Sequence, residues 1–140
     1  YSLAPGNEQD ENVRQKHRDE GLVLVCAPAD QVGEYQAFVE RTKKFYVFSQ
    51  YSKFIQPGYK RVDLDLVSGV YASAYVGEDD DRLIAVVIND SETSKDVSIQ
   101  VDAGYTFVSS YQTDTTRNCE AIGTGVLLPP QSVRTIVFEK

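Results

Sequence analysis

Residues 42–62, TKKFYVFSQYSKFIQPGYKRV, constrain the fold of this chain more than any other stretch. Six aromatic residues fall within it, and it stops at Pro57-Gly58 before the hydrophobic period changes. Thr42 suits an N-cap, because its hydroxyl can accept from a free N–H of the first helical turn. Phe45, Phe48, Tyr51 and Ile55 are spaced three, three and four, which places them on one helical face. Val47 and Phe54 widen that stripe, while Lys43, Gln50 and Lys53 fall toward the opposite face. Pro57 cannot continue a helix and Gly58 permits the turn out of it. A stripe of this width predicts a helix over 42–56 laid onto a sheet.

Beyond Gly58 the period becomes two. YKRVDLDLV alternates through Val62, Leu64 and Leu66, and GVYASAYVG offers the small residues Ala72 and Ala74 on one face. RLIAVVIND is a continuous apolar run over Leu83–Ile88, as a central strand would be. KDVSIQV alternates with Val97, Ile99 and Val101 inward and Ser98 and Gln100 outward. YTFVSSYQT, GVLLPP and QSVRTIVFEK follow, with turn signals at 77–81, 89–91 and 102–104 between them. Short, punctuated strands of this kind predict an antiparallel sandwich. On the N-terminal side, residues 1–20 are polar and read as a loop, and PADQVGEYQ is a turn-rich link. Leu22–Ala27, between Gly21 and Pro28, reads as a strand buried on both faces, the kind found in parallel sheets. The chain thus has two characters. Residues 1–57 give one strand and one helix of an α/β protein, and residues 58–140 give an all-β module. A lone βα pair has no sheet of its own and must complete something else.

A length of 140 residues and an apolar fraction of 41% support a folded core. The net charge of −7 argues against nucleic acid and against anionic lipid as partners, because both call for a cationic face. No apolar run reaches the roughly 18 residues of a membrane-spanning helix, and no signal peptide is visible. A chain that starts at Tyr1 and contains no methionine is expected to be a processed product or a piece of a longer one.

The stretch KKFYVFSQYSKFIQPGYKRV resembles the last barrel helix of glycoside hydrolase family 30 and its exit into the side domain. The residues that carry the resemblance are Phe45-Tyr46, Ser49-Gln50-Tyr51, Ser52-Lys53-Phe54-Ile55 and Pro57-Gly58. LIAVVINDSE resembles that family's central side-domain strand, and LLPPQSVRTIVFEK its final strand. The resemblance covers roughly residues 20–140. It implies a mixed fold, the end of a (β/α)8 TIM barrel over 1–57 followed by an antiparallel β-sandwich side domain over 58–140. It also implies a secreted enzyme that hydrolyses β-linked polysaccharide with retention, xylan or glucuronoxylan foremost, by means of two glutamates. Those glutamates would lie upstream of Tyr1, so no catalytic residue, no cofactor and no metal is expected in this chain. Its partners would be the N-terminal barrel portion of the same enzyme, as a separate chain or a missing segment, and the polysaccharide. Glu8, Glu11, Glu20, Glu34 and Glu40 all stand in polar stretches, without an aromatic-rich strand end.

Few side chains invite a site. Tyr1, in YSLAPG, is a candidate for stacking on a sugar ring in the cleft. Cys26 and Cys119 can pair with each other, pair elsewhere or stay reduced; a mutual disulfide would join the barrel part to the sandwich. Asn89-Asp90-Ser91 is an N-glycosylation sequon. His17 reads as a surface residue, and Asp79-Asp80-Asp81 as a solvated turn, since it lacks the spaced ligands of a calcium loop. No serine has a recognisable base partner, and the helical aromatics read as core. The alternative to an enzyme fragment is a non-catalytic sandwich that binds carbohydrate or only buttresses the barrel. Binding would need an exposed row of aromatics, for which Tyr59, Tyr71, Tyr75, Tyr105 and Tyr111 are the candidates.

Overall fold

The computed structural model describes residues 22–26, 38–65, 69–102 and 104–140. The chain divides into two compact units, Tyr1–Tyr46 and Val47–Lys140.

In the first unit, strand β1 (Val23–Cys26) pairs antiparallel with β2 (Phe38–Arg41), Val23 opposite Arg41 and Cys26 opposite Phe38. The apolar run therefore does form a strand, but its partner is an antiparallel neighbour where a parallel-type strand was expected. FVER is too short and too charged at its end to announce that partner by period. The connecting residues 28–36 lie outside the described residues. Thr42 then caps helix α1 (Lys43–Ser52) as its sequence position suggests. Its Oγ1 accepts from Phe45 N at 3.4 Å and donates to the Leu22 carbonyl at 2.9 Å. The Arg41 guanidinium lies 5.1 Å above the Phe45 ring, and Phe45 meets Tyr46 edge to face at 5.4 Å.

The regular helix ends at Ser52, four residues before the predicted end. Helical hydrogen bonding runs on a little further, with Ile55 N donating to Tyr51 O at 2.9 Å. Gly58 takes φ +95°, a conformation that a side chain would strain, and so turns the chain out as expected.

The second unit is built on a six-stranded antiparallel sheet in the order β3-β4-β5-β10-β7-β8. These strands are β3 (Lys60–Val62), β4 (Tyr71–Val76), β5 (Arg82–Asn89), β7 (Thr106–Thr113), β8 (Glu120–Ile122) and β10 (Ser132–Glu139). The apolar run of β5 is central, as its composition predicts, and β10 lies beside it. A two-stranded ribbon pairs β6 (Lys95–Asp96) with β9 (Leu127–Leu128). The alternating stretch 97–101 is not a ladder strand. Its inward and outward residues nevertheless follow the expected pattern, with Ser98 and Gln100 exposed and Val97, Ile99 and Val101 half-buried.

Register places Ile84, Val86 and Ile88 on one sheet face with Val137, Thr135 and Val133. Phe54 is buried in the cluster with Ile84, Val86, Val133 and Val137, and Tyr51, Ile55, Tyr59, Tyr111 and Cys119 pack around it. Phe54 meets Tyr111 with ring centres 4.8 Å apart. Full burial of one such aliphatic side chain contributes about 2 kcal/mol. On the opposite face Ala74 and Ala85 sit in register and buried, and Leu128 of the ribbon is fully buried as well.

The helix is rotated from the sequence expectation. Gln50, assigned to the outer face, is fully buried, whereas Phe48, assigned to the core stripe, is 58% exposed and Val47 37%. Gln50 meets two fully buried hydroxyls of the sheet, Thr135 and Thr113, the second of which also accepts from Cys119 N at 3.0 Å. Gln50 Nε2 donates to Thr113 Oγ1 at 2.8 Å. The Thr135 hydroxyl lies 2.6 Å from the Gln50 carbonyl and 2.5 Å from its Oε1 and donates to that pair.

This packing sets a sharp contrast between two phenylalanines six positions apart in one segment. In the 140-residue chain, Phe54→Ala is expected to cost about 3 kcal/mol in urea unfolding, while Phe48→Ala should stay within about 0.5 kcal/mol of the parent.

Candidate functional site

The residues singled out from sequence do not converge. Tyr1, His17, Glu8, Glu11, Glu20 and Glu34 lie outside the described residues. Glu40 is exposed on β2. Cys119 is a free, half-buried thiol, so the disulfide considered for Cys26 and Cys119 is not formed in this structure. Cys119 packs instead against the Phe54 cluster, and burial pushes its thiol up, against a smaller opposing effect of Lys53.

Asn89 ends the central strand β5 as a buried lock. Its Nδ2 donates to the carbonyls of Thr93 (2.9 Å), Leu128 (3.2 Å) and Pro129 (2.8 Å). Its Oδ1 accepts from Ser91 N (3.1 Å) and Ser91 Oγ (2.7 Å). The side chain is fully buried. A glycan on Nδ2 would displace these bonds, which weighs against Asn89 as an acceptor in the folded chain. The sequon describes three consecutive residues and carries no information about the carbonyls forty positions away.

A second buried network surrounds β7 and β10. Arg134, nearly fully buried, donates from Nε and Nη2 to Gln112 Oε1 at 3.0 and 2.6 Å, and from Nη1 and Nη2 to the carbonyls of Gly125 and Leu127. Gln112 Nε2 passes the chain on to Asp114 Oδ2 at 2.6 Å. The other Asp114 oxygen accepts from the backbone N–H of Thr116 (2.8 Å) and Arg117 (2.7 Å), and the Arg117 guanidinium reaches Oδ2 at 2.9 Å. Burial alone would raise this carboxyl. The bonds from Gln112, Thr116 and Arg117 outweigh it and hold the carboxyl well below the ordinary value of 3.8. Sequence reasoning missed this network, since an Arg in an apolar strand carries no local sign that its charge faces inward.

Asp80, in the turn read as solvated, is exposed, with φ +53°. It pairs with Lys140, and Tyr105 Oη donates to its Oδ1 at 2.8 Å. The hydrogen bonds from Lys140 and Tyr105 lower its pKa. Both shifted carboxyls, Asp80 and Asp114, are thus lowered and engaged in structural bonds. A general acid of a glycosidase needs the reverse, a carboxyl raised toward neutrality. Among the described residues no group of three or more His, Cys, Asp or Glu side chains is placed to hold a metal ion.

The five sandwich tyrosines also part company. Tyr71 is 62% exposed, while Tyr59 and Tyr111 pack against the core cluster and Tyr105 is turned to Asp80. Tyr75 is half-buried.

Two measurements follow from these networks. Asp114 has a depressed carboxyl in the fold, so its stabilisation is fully present above about pH 4 and is lost as pH falls below the unfolded carboxylate range. Asp114→Asn is expected to cost about 1.5–3 kcal/mol at pH 7 and to flatten the acid limb of a stability–pH profile relative to the parent. Expressed through a glycosylating secretory pathway, the folded chain should show an unmodified Asn89 in peptide mass mapping.

No family model matches the chain. Individual relatives do. It is 32% identical over 111 residues to glucuronoxylanase XynC of Bacillus subtilis strain 168, a match covering 71% of this chain and 26% of the relative. Among solved structures it is similar to the family 30 subfamily 8 xylanase Xyn30A of Clostridium acetobutylicum. There the TM-score is 0.64 at 34% identity, covering 72% of this chain and 29% of that one. A family 30 endoxylanase of Clostridium papyrosolvens C71 matches with TM-score 0.62 at 36% identity, covering 71% and 28%. The chain therefore spans about a quarter of the length of the curated relative. Sequence and fold agree, and the chain belongs to glycoside hydrolase family 30, where it corresponds to the C-terminal portion of its members.

Proposed function

We propose that this chain is the C-terminal part of a secreted retaining glycoside hydrolase that acts on β-linked polysaccharide, with xylan or glucuronoxylan as the favoured substrate. The observation that carries the reading is the joint match of sequence and fold to two family 30 xylanases at 34% and 36% identity. In this reading residues 1–57 complete a TIM barrel and residues 58–140 form the side domain. The two catalytic glutamates lie upstream of the chain, one protonating the leaving oxygen and the other attacking the anomeric carbon. The lowered pKa values of Asp80 and Asp114, the reverse of what a general acid needs, support that division of labour. Tyr1 remains a proposed sugar-stacking residue beside the cleft.

Within that enzyme the sandwich buttresses the barrel in preference to binding polysaccharide. The dispersal of the tyrosines supports this: Tyr71 is exposed, whereas Tyr59 and Tyr111 are spent on the core. A flat polysaccharide site would need several aromatic faces in a row.

The chain alone is expected to release no reducing sugar from glucuronoxylan, and the whole protein that contains it to hydrolyse glucuronoxylan with retention, followed by NMR of the newly formed anomer. Hydrolysis by residues 1–140 alone would overturn the upstream glutamates. Inversion would overturn the mechanism. Calorimetric titration of the chain with soluble xylan should give no heat, and a saturable heat would restore the binding reading.

A further inference from the structure

We propose that Gln112 is an amide bridge through which Asp114, in the turn after β7, holds the β6–β9 ribbon by way of Arg134. Arg134 is nearly fully buried, and its partners among the described residues are neutral oxygens: Gln112 Oε1 and the carbonyls of Gly125 and Leu127. A buried charge is costly unless an opposite charge compensates it. Here that charge stands at one remove. Gln112 lies opposite Arg134 in the β7–β10 register, and its Nε2 donates to Asp114 Oδ2 at 2.6 Å. The amide thus turns its carbonyl to the guanidinium and its NH2 to the carboxylate. The reverse orientation would set donors against donors and acceptors against an acceptor, so the two charges together fix which way it points. Arg117 works against the arrangement. Burial lowers the pKa of Arg134, and the Arg117 charge lowers it further, so the Asp114 carboxylate offsets two cations at once.

The far end of the bridge is the ribbon. Leu127 belongs to β9, and Val126, between the two carbonyls that Arg134 holds, accepts from Val97 N at 2.8 Å. A side chain added at Gly123 or Gly125 would meet nothing within 4 Å, so the loop into β9 has little packing there and depends on the Arg134 bonds. Without the Asp114 charge, Gln112 loses the group that orients it, and Arg134 loses its hold on Gly125 and Leu127. The state of the β7–β8 turn is thereby carried to a backbone bond in a different part of the sequence. This inference concerns the second unit's own structure and does not rest on the hydrolase reading.

Amide hydrogen exchange of the 140-residue chain, followed by NMR, tests the bridge. In Asp114→Asn the Val97 amide should exchange faster by about tenfold or more relative to the amides of β5. In a Gln112→Met background the same Asp114→Asn change should leave Val97 unmoved relative to β5, because the bridge is already gone. Val97 following β5 in Asp114→Asn overturns the proposal. So does an Asp114→Asn effect that persists in the Gln112→Met background, which would assign it to charge acting directly. Because these variants can fail to fold, the unsubstituted chain gives a second reading. The amides of Thr116 and Arg117, which bond Asp114, should share one opening transition with Val97 as urea is raised, and open more readily than β5. Separate transitions, or one that coincides with β5 throughout, overturn the bridge.

Discussion

Thr113 and Thr135 place two buried hydroxyls on the sheet face that carries Ile84, Val86, Val133 and Val137, and Gln50 bonds both, Thr113 accepting from Cys119 N as well. Once the glutamine is inserted, Phe54 follows on the same helical face and enters the cluster of Ile84, Val86, Val133 and Val137. Tyr111 then packs on Phe54, and Lys53 lies 4.8 Å over the Tyr111 ring, at the boundary with solvent. Leaving Thr135 without Gln50 would cost about 1–3 kcal/mol, comparable to the gain from burying a large apolar side chain. The polar contact therefore competes on equal terms with the hydrophobic one.

The opposite sheet face obeys the same rule. Arg134 could not be buried there without Gln112 and two loop carbonyls, and Asn89 closes the end of β5 against the ribbon. Each buried polar residue ties a loop or the ribbon to a central strand: Gly125 and Leu127 through Arg134, Thr93, Leu128 and Pro129 through Asn89, and 116–117 through Asp114. Two of the unit's carboxylates, Asp80 and Asp114, are held ionised by the bonds they accept, their pKa values lowered below the ordinary one.

What the sequence disclosed and what it hid follow from the range of each signal. The helix start at Thr42, the turn at Pro57-Gly58 and the central strand Leu83–Ile88 are local, and all three are present. The resemblance to family 30 also holds for the chain as a whole. Gln50 was assigned outward because helical periodicity sorts residues by polarity, and no helical pattern shows that a threonine waits 63 and another 85 positions away. Asn89 was read as an acceptor for the same reason. Strands β2 and β8, of four and three residues, are too short to establish a period. The stretch 97–101 shows the opposite failure: its alternation correctly gives the faces but does not guarantee a ladder partner.

A double-mutant cycle between Gln50→Leu and Thr135→Val, measured by urea unfolding of the 140-residue chain, tests the central claim most directly. If the glutamine holds the helix to the sheet through this threonine, the two changes must be coupled, with an interaction energy of about 1–3 kcal/mol. Additive effects, with coupling within about 0.5 kcal/mol of zero, would contradict the account and leave the seat of α1 to hydrophobic packing alone.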